Sequence, residues 1–407
     1  MLKKLKAFVF PLAAVTALTS CGNGAKGGDV VAWVTADVEN SESMEITYDY
    51  FYKEYRYWLY GMQIDENDPG NDDYTRAMRE QLINYQINDK RCLRAANDYG
   101  MGASSLTDED LEQIEIRVEE TKNNLRESMR SEAYSDFAKE PTDEQLSARV
   151  DMLYERFLRE TGIDEETIGS WGRDKYITEK LLEYVVRDIS VDDAELGAAI
   201  SEMTEKAKED FAADPNVYVY DYANYSVFIP PGCRSVRQIL VKLKDDVIES
   251  IEKMRDDGDD EYADEYRDLS LEQIRGKAQV ALDRLDAGED FGAVMKAVSD
   301  DKEHIESKEG VYRIPPGFTY FGREYHDAVF ALSAPGEYSR LVPTDKGWVI
   351  IEFDSLTAYT DGQWEEVREE VRELRLDYLK NNRKTDFAAE LEEKYPYEID
   401  KKRLMID

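Results

Sequence analysis

The sequence predicts an α+β fold in which a long helical region is joined to one compact unit of strands and helices. Three observations carry this reading. Apolar residues recur at helical spacing from Tyr48 to Ile189, and again from Trp364 to Tyr378. Between these regions, Arg234 to Leu243 (RSVRQILVKL) alternates like a strand, with Ile239, Val241 and Leu243 on one face. Finally, Tyr325 to Phe353 (YHDAVFALSAPGEYSRLVPTDKGWVIIEF) reads in order as a short helix, an edge segment, a turn and a central strand. Its helix presents Ala328, Val329, Ala331 and Leu332 and breaks at Pro335-Gly336. The turn is Thr344-Asp345-Lys346-Gly347, and the strand is the apolar run Trp348 to Ile351.

At the N-terminus, Lys3, Lys4 and Lys6 precede an apolar run from Ala7 to Leu18, followed by Leu18-Thr19-Ser20-Cys21-Gly22. The run is too short to span a bilayer, and a basic start with small residues before a cleavage point reads as an export signal. Leu-Thr-Ser-Cys fits the bacterial lipobox. It predicts residues 1–20 as a lipoprotein signal peptide, Cys21 as the lipidated first residue and 21–45 as a tether with a Gly-rich start. A plain signal peptide with a Cys at its cut is the alternative. Two acyl chains anchor stably where one anchors marginally, so the expectation is an exported bacterial lipoprotein at the extracytoplasmic face of a membrane.

A chain of 407 residues is long enough for two or more domains. Its 89 acidic against 52 basic residues give a net charge of -37, and removing residues 1–20 with three Lys and no acid makes this about -40. Such a field excludes nucleic acid as a partner. The acidity reads first as solubility and second as attraction for basic, unfolded polypeptides. With Cys21 lipidated, Cys92 and Cys233 remain, as a bridge or as two free thiols. No zinc-ligand spacing is present, and His304 and His326 are the only histidines, so neither metal nor cofactor is expected. Asp65 to Asp73 (DENDPGNDD) has Pro69 where an EF-hand needs a side-chain ligand and Arg76 where it needs a bidentate Glu, and reads as a turn.

The helical region, 46–232, opens with ITYDYFYKEYRYWLYG, which puts Tyr48, Phe51, Tyr52, Tyr55 and Leu59 on one face. The further aromatics Tyr50, Tyr57, Trp58 and Tyr60 leave two readings, a core helix packed on both sides or a client-binding surface. A second helix runs from Asp72 to Tyr99. Thr107-Asp108-Glu109-Asp110-Leu111 and the capping box Thr142-Asp143-Glu144-Gln145 open further helices, as does Ser190-Val191-Asp192-Asp193. KYITEKLLEYVVRDI between them is apolar at Ile177, Leu181, Leu182, Tyr184 and Val185. Near the C-terminus, Trp364, Val367, Val371, Leu374 and Tyr378 give one long helix a single apolar seam that needs a partner.

The order helix, Phe-Ala-Leu, Gly-Glu-x-Ser, Thr-Asp-x-Gly and β-branched strand resembles the C-terminal half of the parvulin family of peptidyl-prolyl isomerases. Upstream, Gln238-Ile239-Leu240-Val241 stands where that family has His-Ile-Leu-Val. Ser270-x-x-Gln273 reads as a capping box before a helix with Ile274, Ala278, Ala281, Leu282 and Leu285, and DFGAVMKAVSDD matches the segment leading to a Ser-Asp pair at Ser299 and Asp300. The resemblance covers 233–356, with an acidic insertion at 245–268 read as a solvated, helical excursion that shades the active face. REQLINYQINDKRCLRAANDYG, followed by Gly102 and Thr107 to Leu111, resembles the helices of SurA-type and PrsA-type foldases. That resemblance implies a chaperone domain whose C-terminal segment, here 357–407, packs back on the N-terminal helices.

The parvulin resemblance implies prolyl isomerisation on unfolded, proline-containing exported polypeptides. The barrier to turning an X-Pro bond is roughly 18–20 kcal/mol and comes from amide resonance, so catalysis needs an apolar cup for the ring and a polar, desolvated setting that favours the twisted amide. Carried over by motif, Gln238, Asp301 and Thr344 take the polar positions, and Val311, Phe321, Tyr325, Trp348 and Val349 the substrate-binding ones. Both family histidines are replaced, by Gln238 and by Val349. The alternative implied is therefore a holdase whose parvulin domain is catalytically weak or inactive. A solute-binding lipoprotein is disfavoured, because the alternating βα pattern of that class is missing.

Overall fold

Thr47 ends an extended segment and its hydroxyl accepts the Tyr50 amide at 3.3 Å, so the tyrosine-rich run that follows starts as a capped helix. The same logic repeats along the chain. Thr107 with Asp110 and Thr142 with Gln145 each close a reciprocal capping box, and Asp192 accepts two amides at the start of its helix. The computed structural model describes residues 27–34, 44–219, 226–308 and 310–406, so the expected signal peptide and Cys21 lie outside the described residues. The helical region contains β1 (Val30–Val34), β2 (Met44–Thr47), α1 (Tyr48–Met62), α2 (Asp72–Asp98), α3 (Asp108–Ser128), α4 (Arg130–Ser135), α5 (Asp143–Thr161), α6 (Glu165–Val186) and α7 (Asp193–Ala213). Next come β3 (Arg234–Lys242), α8 (Asp245–Asp256), α9 (Asp260–Asp286), α10 (Phe291–Val298), α11 (Lys302–Lys308), β4 (Val311–Ile314), α12 (Arg323–Ala331), β5 (Val342–Thr344) and β6 (Gly347–Leu356). The chain closes with α13 (Asp361–Lys394), β7 (Tyr397–Ile399) and α14 (Lys401–Leu404).

These elements form two compact units, Met1–Ile189 with Tyr378–Asp407, and Ser190–Asp377. In the first, α1 packs on two sides. Phe51, Tyr55 and Leu59 join a core with Leu82, Ile83 and Ile87 of α2. On the other side, Tyr57 and Tyr60 meet Phe157 edge-on. The C-terminal segment from Tyr378 belongs here: β7 pairs antiparallel with β1, and Phe387, Leu391 and Tyr395 enter the same core. Buried Arg91 donates to the Tyr395 carbonyl at 3.1 Å and pairs with Glu392, which fixes that segment to α2. Residues 361–377 also pack on a helix of the 46–232 region, one that belongs to the second unit. Their Val367 and Val371 pack with Leu196 and Ala199 of α7 in the second unit, because α7 offers the apolar partner their seam requires.

The second unit is built on an antiparallel sheet of order β4-β3-β6-β5. Gly347 opens β6 at φ 149°, where a Cβ would sit 2.2 Å from the Val241 carbonyl, so only glycine allows this approach to β3. Alternation sends Ile239 and Ile350 to one face, under Ala281, Leu282 and Leu285 of α9 and Phe291, Val294 and Met295 of α10. Val236, Leu240, Val349 and Ile351 go to the other, under Tyr325 and Val329 of α12. At the end of α12, Ala331 is exposed, while Leu332, which caps the helix, is buried as expected.

The 245–268 insertion is more than a solvated excursion. It forms α8 and the start of α9 around a small core of Leu243, Ile248, Ile251, Ala263 and Leu271. Ser270 is accordingly not an N-cap. It lies in the middle of α9, 6% exposed, because buried Ala263 and Arg267 extend the helical spacing upstream of it. Cys92 and Cys233 are free thiols.

Candidate functional site

Gln238 lies at the centre of β3, opposite Ile351 on β6, and its side chain is 9% exposed. A buried amide must find partners. Its oxygen accepts from the Tyr325 hydroxyl at 2.9 Å, and its nitrogen donates to Asp301 at 3.3 Å. The Tyr312 hydroxyl donates to the same Asp301 oxygen. Burial first, then the Asp301 hydrogen bond, push the Tyr312 phenol up, and burial does the same for Tyr325, so both remain donors at physiological pH.

Asp301 is delivered by the Ser299-Asp300 step. Fully buried Ser299 accepts the Leu240 amide at 3.1 Å, the Asp300 amide donates to the Leu240 carbonyl at 2.8 Å, and the Asp300 carboxylate accepts the Lys242 amide at 2.9 Å. The segment thus runs as a short rail beside β3. From the other side, Arg234 donates to the Val329 and Leu332 carbonyls at 2.7 and 2.6 Å and holds the end of α12, which carries Tyr325.

Aromatic rings surround this network. Phe321 meets Tyr312 edge-on at 5.8 Å and Tyr325 at 5.1 Å, with Phe318 buried behind and Tyr320 48% exposed beside it. His304 stacks on Tyr312 at 3.8 Å and its Nε2 lies 2.9 Å from the Val311 carbonyl. The histidine is therefore next to the site, although no motif in the sequence places it there.

Of the eight residues expected in the site, Gln238, Asp301, Phe321 and Tyr325 come together. Tyr325 does so as a fully buried hydrogen-bond donor rather than as an apolar wall. Val349 shares the Gln238 face but is only 2% exposed, within the core. Val311 pairs with Arg237, which puts its side chain on the opposite face, so Tyr312 occupies the place expected for it. Trp348 also points to the opposite face, where it packs on the insertion and donates to the Leu271 carbonyl at 2.9 Å. Thr344 bonds the Gly347 carbonyl at 2.8 Å inside its own turn. By register it lies at Lys242, four residues from Gln238, about 13 Å along the strand. Tyr312 was missed, and the signal that could have found it is the two-residue alternation of the Val311–Ile314 strand.

The turn bearing Thr344 is held from outside. Arg255 of α8 makes two 3.0 Å bonds to Asp345 and also pairs with Asp264 and Asp260, while Arg267 of α9 lies 3.8 Å from Asp345 and 3.9 Å from Glu324.

Comparison with known proteins now adds to this geometry. Residues 262–355 match the family model for the rotamase, a PPIC-type PPIase domain. The chain carries a parvulin-type rotamase domain. The match includes Asp301, Tyr312, Phe321 and Tyr325 and begins after β3, so Gln238 is placed in the domain by the sheet. Beyond the rotamase domain, the chain is similar to foldase protein PrsA of Clostridium botulinum strain Langeland, 24% identical over 247 residues, which are 57% of this chain and 58% of that protein. PrsA of the Okra strain matches to the same extent. Only a little over half the length of these relatives is therefore spanned. Among solved structures, PrsA from Bacillus subtilis covers 89% of this chain and 92% of its own, at 17% identity and a TM-score of 0.26. PrsA from Streptococcus pneumoniae covers 91% and 93%, at 15% and 0.21. By family, the rotamase domain is that of a peptidyl-prolyl cis-trans isomerase.

Proposed function

We infer that this chain is an exported foldase, held at the extracytoplasmic face of a membrane by lipid on Cys21, that turns X-Pro bonds in unfolded polypeptides. The observation that carries the isomerase part is the hydrogen-bonded network of buried Gln238 and Tyr325 with half-buried Asp301 and Tyr312, beside the Phe321 and Tyr320 rings. A surface that only held proline rings would need apolar shape alone. Twisting the amide removes its resonance and returns a lone pair to nitrogen, so a donor kept protonated and desolvated favours the twisted state. The Tyr312 hydroxyl meets this description when its one proton turns from Asp301 to the amide nitrogen, and the Phe321 ring beside it offers the proline ring an apolar seat. Until then Asp301 accepts that proton and holds the hydroxyl in place. Val349 supports the second reading, a holdase, since no hydrogen bond can come from its position.

Isomer exchange of a short X-Pro peptide tests this. Tyr312→Phe keeps the ring and removes the donor, and should lower turnover about ten- to hundred-fold with little change in KM. Equal turnover in the two proteins contradicts the role given to Tyr312, and wild-type exchange at the uncatalysed rate favours the holdase. Anchoring is supported by the lipobox; no helix among the described residues is long and apolar enough to cross a membrane. Cys21→Ala should move the protein from the membrane to the soluble fraction or leave it unprocessed, and unchanged membrane association contradicts the anchor.

A further inference from the structure

We propose that the outer face of α9, in the insertion, is a docking surface for an extended, cationic segment of unfolded polypeptide, separate from the isomerisation site. Tyr262, Tyr266 and Leu269 fall at i, i+4 and i+7 on this helix and are 68%, 37% and 63% exposed. Three large apolar side chains in one stripe at the surface are unusual for a helix whose opposite face is well buried. That opposite face, Ala263, Arg267, Leu271, Ala278, Ala281 and Leu282, holds α9 against the insertion core and the sheet, so the stripe sits on a fixed support. It is about 10 Å long at 1.5 Å per residue. Alternate side chains of an extended strand are spaced by roughly 7 Å, so two of them fit along it.

Charge identifies the occupant. From Asp256 to Glu272 the sequence contains nine carboxylates and one arginine. All nine carboxylate residues are exposed; Arg267, 8% exposed, pairs with Asp264 and Asp268 at 3.0 and 2.9 Å and Arg255 with Asp260 and Asp264, so two arginines offset only part of that charge. The rim around the stripe is thus negative. A second copy of this chain, at net charge -37, and an anionic lipid surface both carry the same sign and are repelled. An unfolded chain with Lys or Arg beside Leu, Phe or Tyr satisfies rim and stripe together. The proposal rests on the foldase reading only in taking that chain to be unfolded, since its recognition needs no proline.

The test uses the full chain and a proline-free peptide of about 20 residues in which Lys alternates with Leu and Phe, with binding followed by fluorescence anisotropy. Replacing Tyr262, Tyr266 and Leu269 together by Ser should weaken Kd about ten-fold or more. Glu261→Gln with Glu265→Gln should weaken it about three-fold and flatten its salt dependence. Both variants should keep the wild-type unfolding midpoint and the wild-type rate on a short X-Pro peptide. Unchanged Kd in the triple variant overturns the proposal, as does equal binding of a Glu-containing peptide with the same apolar pattern. Self-association of the wild type that the triple variant loses assigns the stripe to a second copy and overturns it too. A wild type inactive on the X-Pro peptide counts against the isomerase reading and leaves the docking measurement intact.

Discussion

Gln238 and Ile239 are neighbours on β3, yet they face two different chemistries. Ile239 enters a face closed by hydrocarbon from α9 and α10. Gln238 enters a face where Tyr312, Tyr325 and Asp301 bring polar atoms under cover. A buried polar group left unpaired costs about 1–3 kcal/mol, so filling one face with such groups gains the fold nothing that more hydrocarbon would not. The first face holds the sheet together. The second gathers the polar groups proposed to favour a twisted amide, next to the half-buried Phe321 and the exposed Tyr320.

Substitutions can break this contrast or sharpen it. Leu282→Ala on the apolar face should cost about 2–5 kcal/mol in denaturant unfolding while the remaining folded protein keeps its turnover per molecule. A loss below about 1 kcal/mol would show that this face is not the structural one. In the first unit, Asp89 is a half-buried carboxyl outside the rotamase domain, and it is a useful control. Burial, then Glu54, raises it from 3.8 to about 6, with Tyr85, Lys90 and Asp174 as its other charged or titrating neighbours. Between these values the folded chain keeps a proton that the unfolded chain has released. Its contribution to stability is therefore full below about pH 4 and lost as pH rises through 6. Asp89→Asn should stabilise by roughly 1–2 kcal/mol at pH 7, with no gain at pH 4. A gain equal at both pH values would refute the assignment. The smallest effect belongs to Arg255, whose side chain is 27% exposed. Arg255→Ala should change global stability by less than about 1 kcal/mol but speed amide exchange at Asp345 to Gly347. Unchanged exchange there would mean that the insertion does not hold the turn.

The fold was legible wherever periodicity and capping agreed. The alternation of RSVRQILVKL gave both faces of β3, and Thr142 with Gln145 marked a helix start that the structure keeps. Ser270 shows the limit: the same capping signature occurs inside a helix, because Ala263 and Arg267 bury its upstream turns. In the site, Gln238 was reachable from its strand motif, whereas no fixed motif pinned Asp301 or Phe321. Val311 and Trp348 were placed on the wrong face, since a one-residue difference in register reverses a side chain and only pairing to Arg237 and Val241 sets it. Tyr325 read as an apolar wall because its hydroxyl finds its partner 87 residues away.

The most direct test of the central claim removes the polar contact without leaving either partner stranded. Gln238→Leu alone would orphan the buried Tyr325 hydroxyl, whereas Gln238→Leu with Tyr325→Phe replaces both partners by apolar groups of similar shape, which is close to neutral for stability. The double variant should unfold within about 1 kcal/mol of wild type, or above it, and exchange a short X-Pro peptide at least about ten-fold more slowly. A double variant that turns over the peptide at the wild-type rate would show that the polar face of β3 does not carry the reaction.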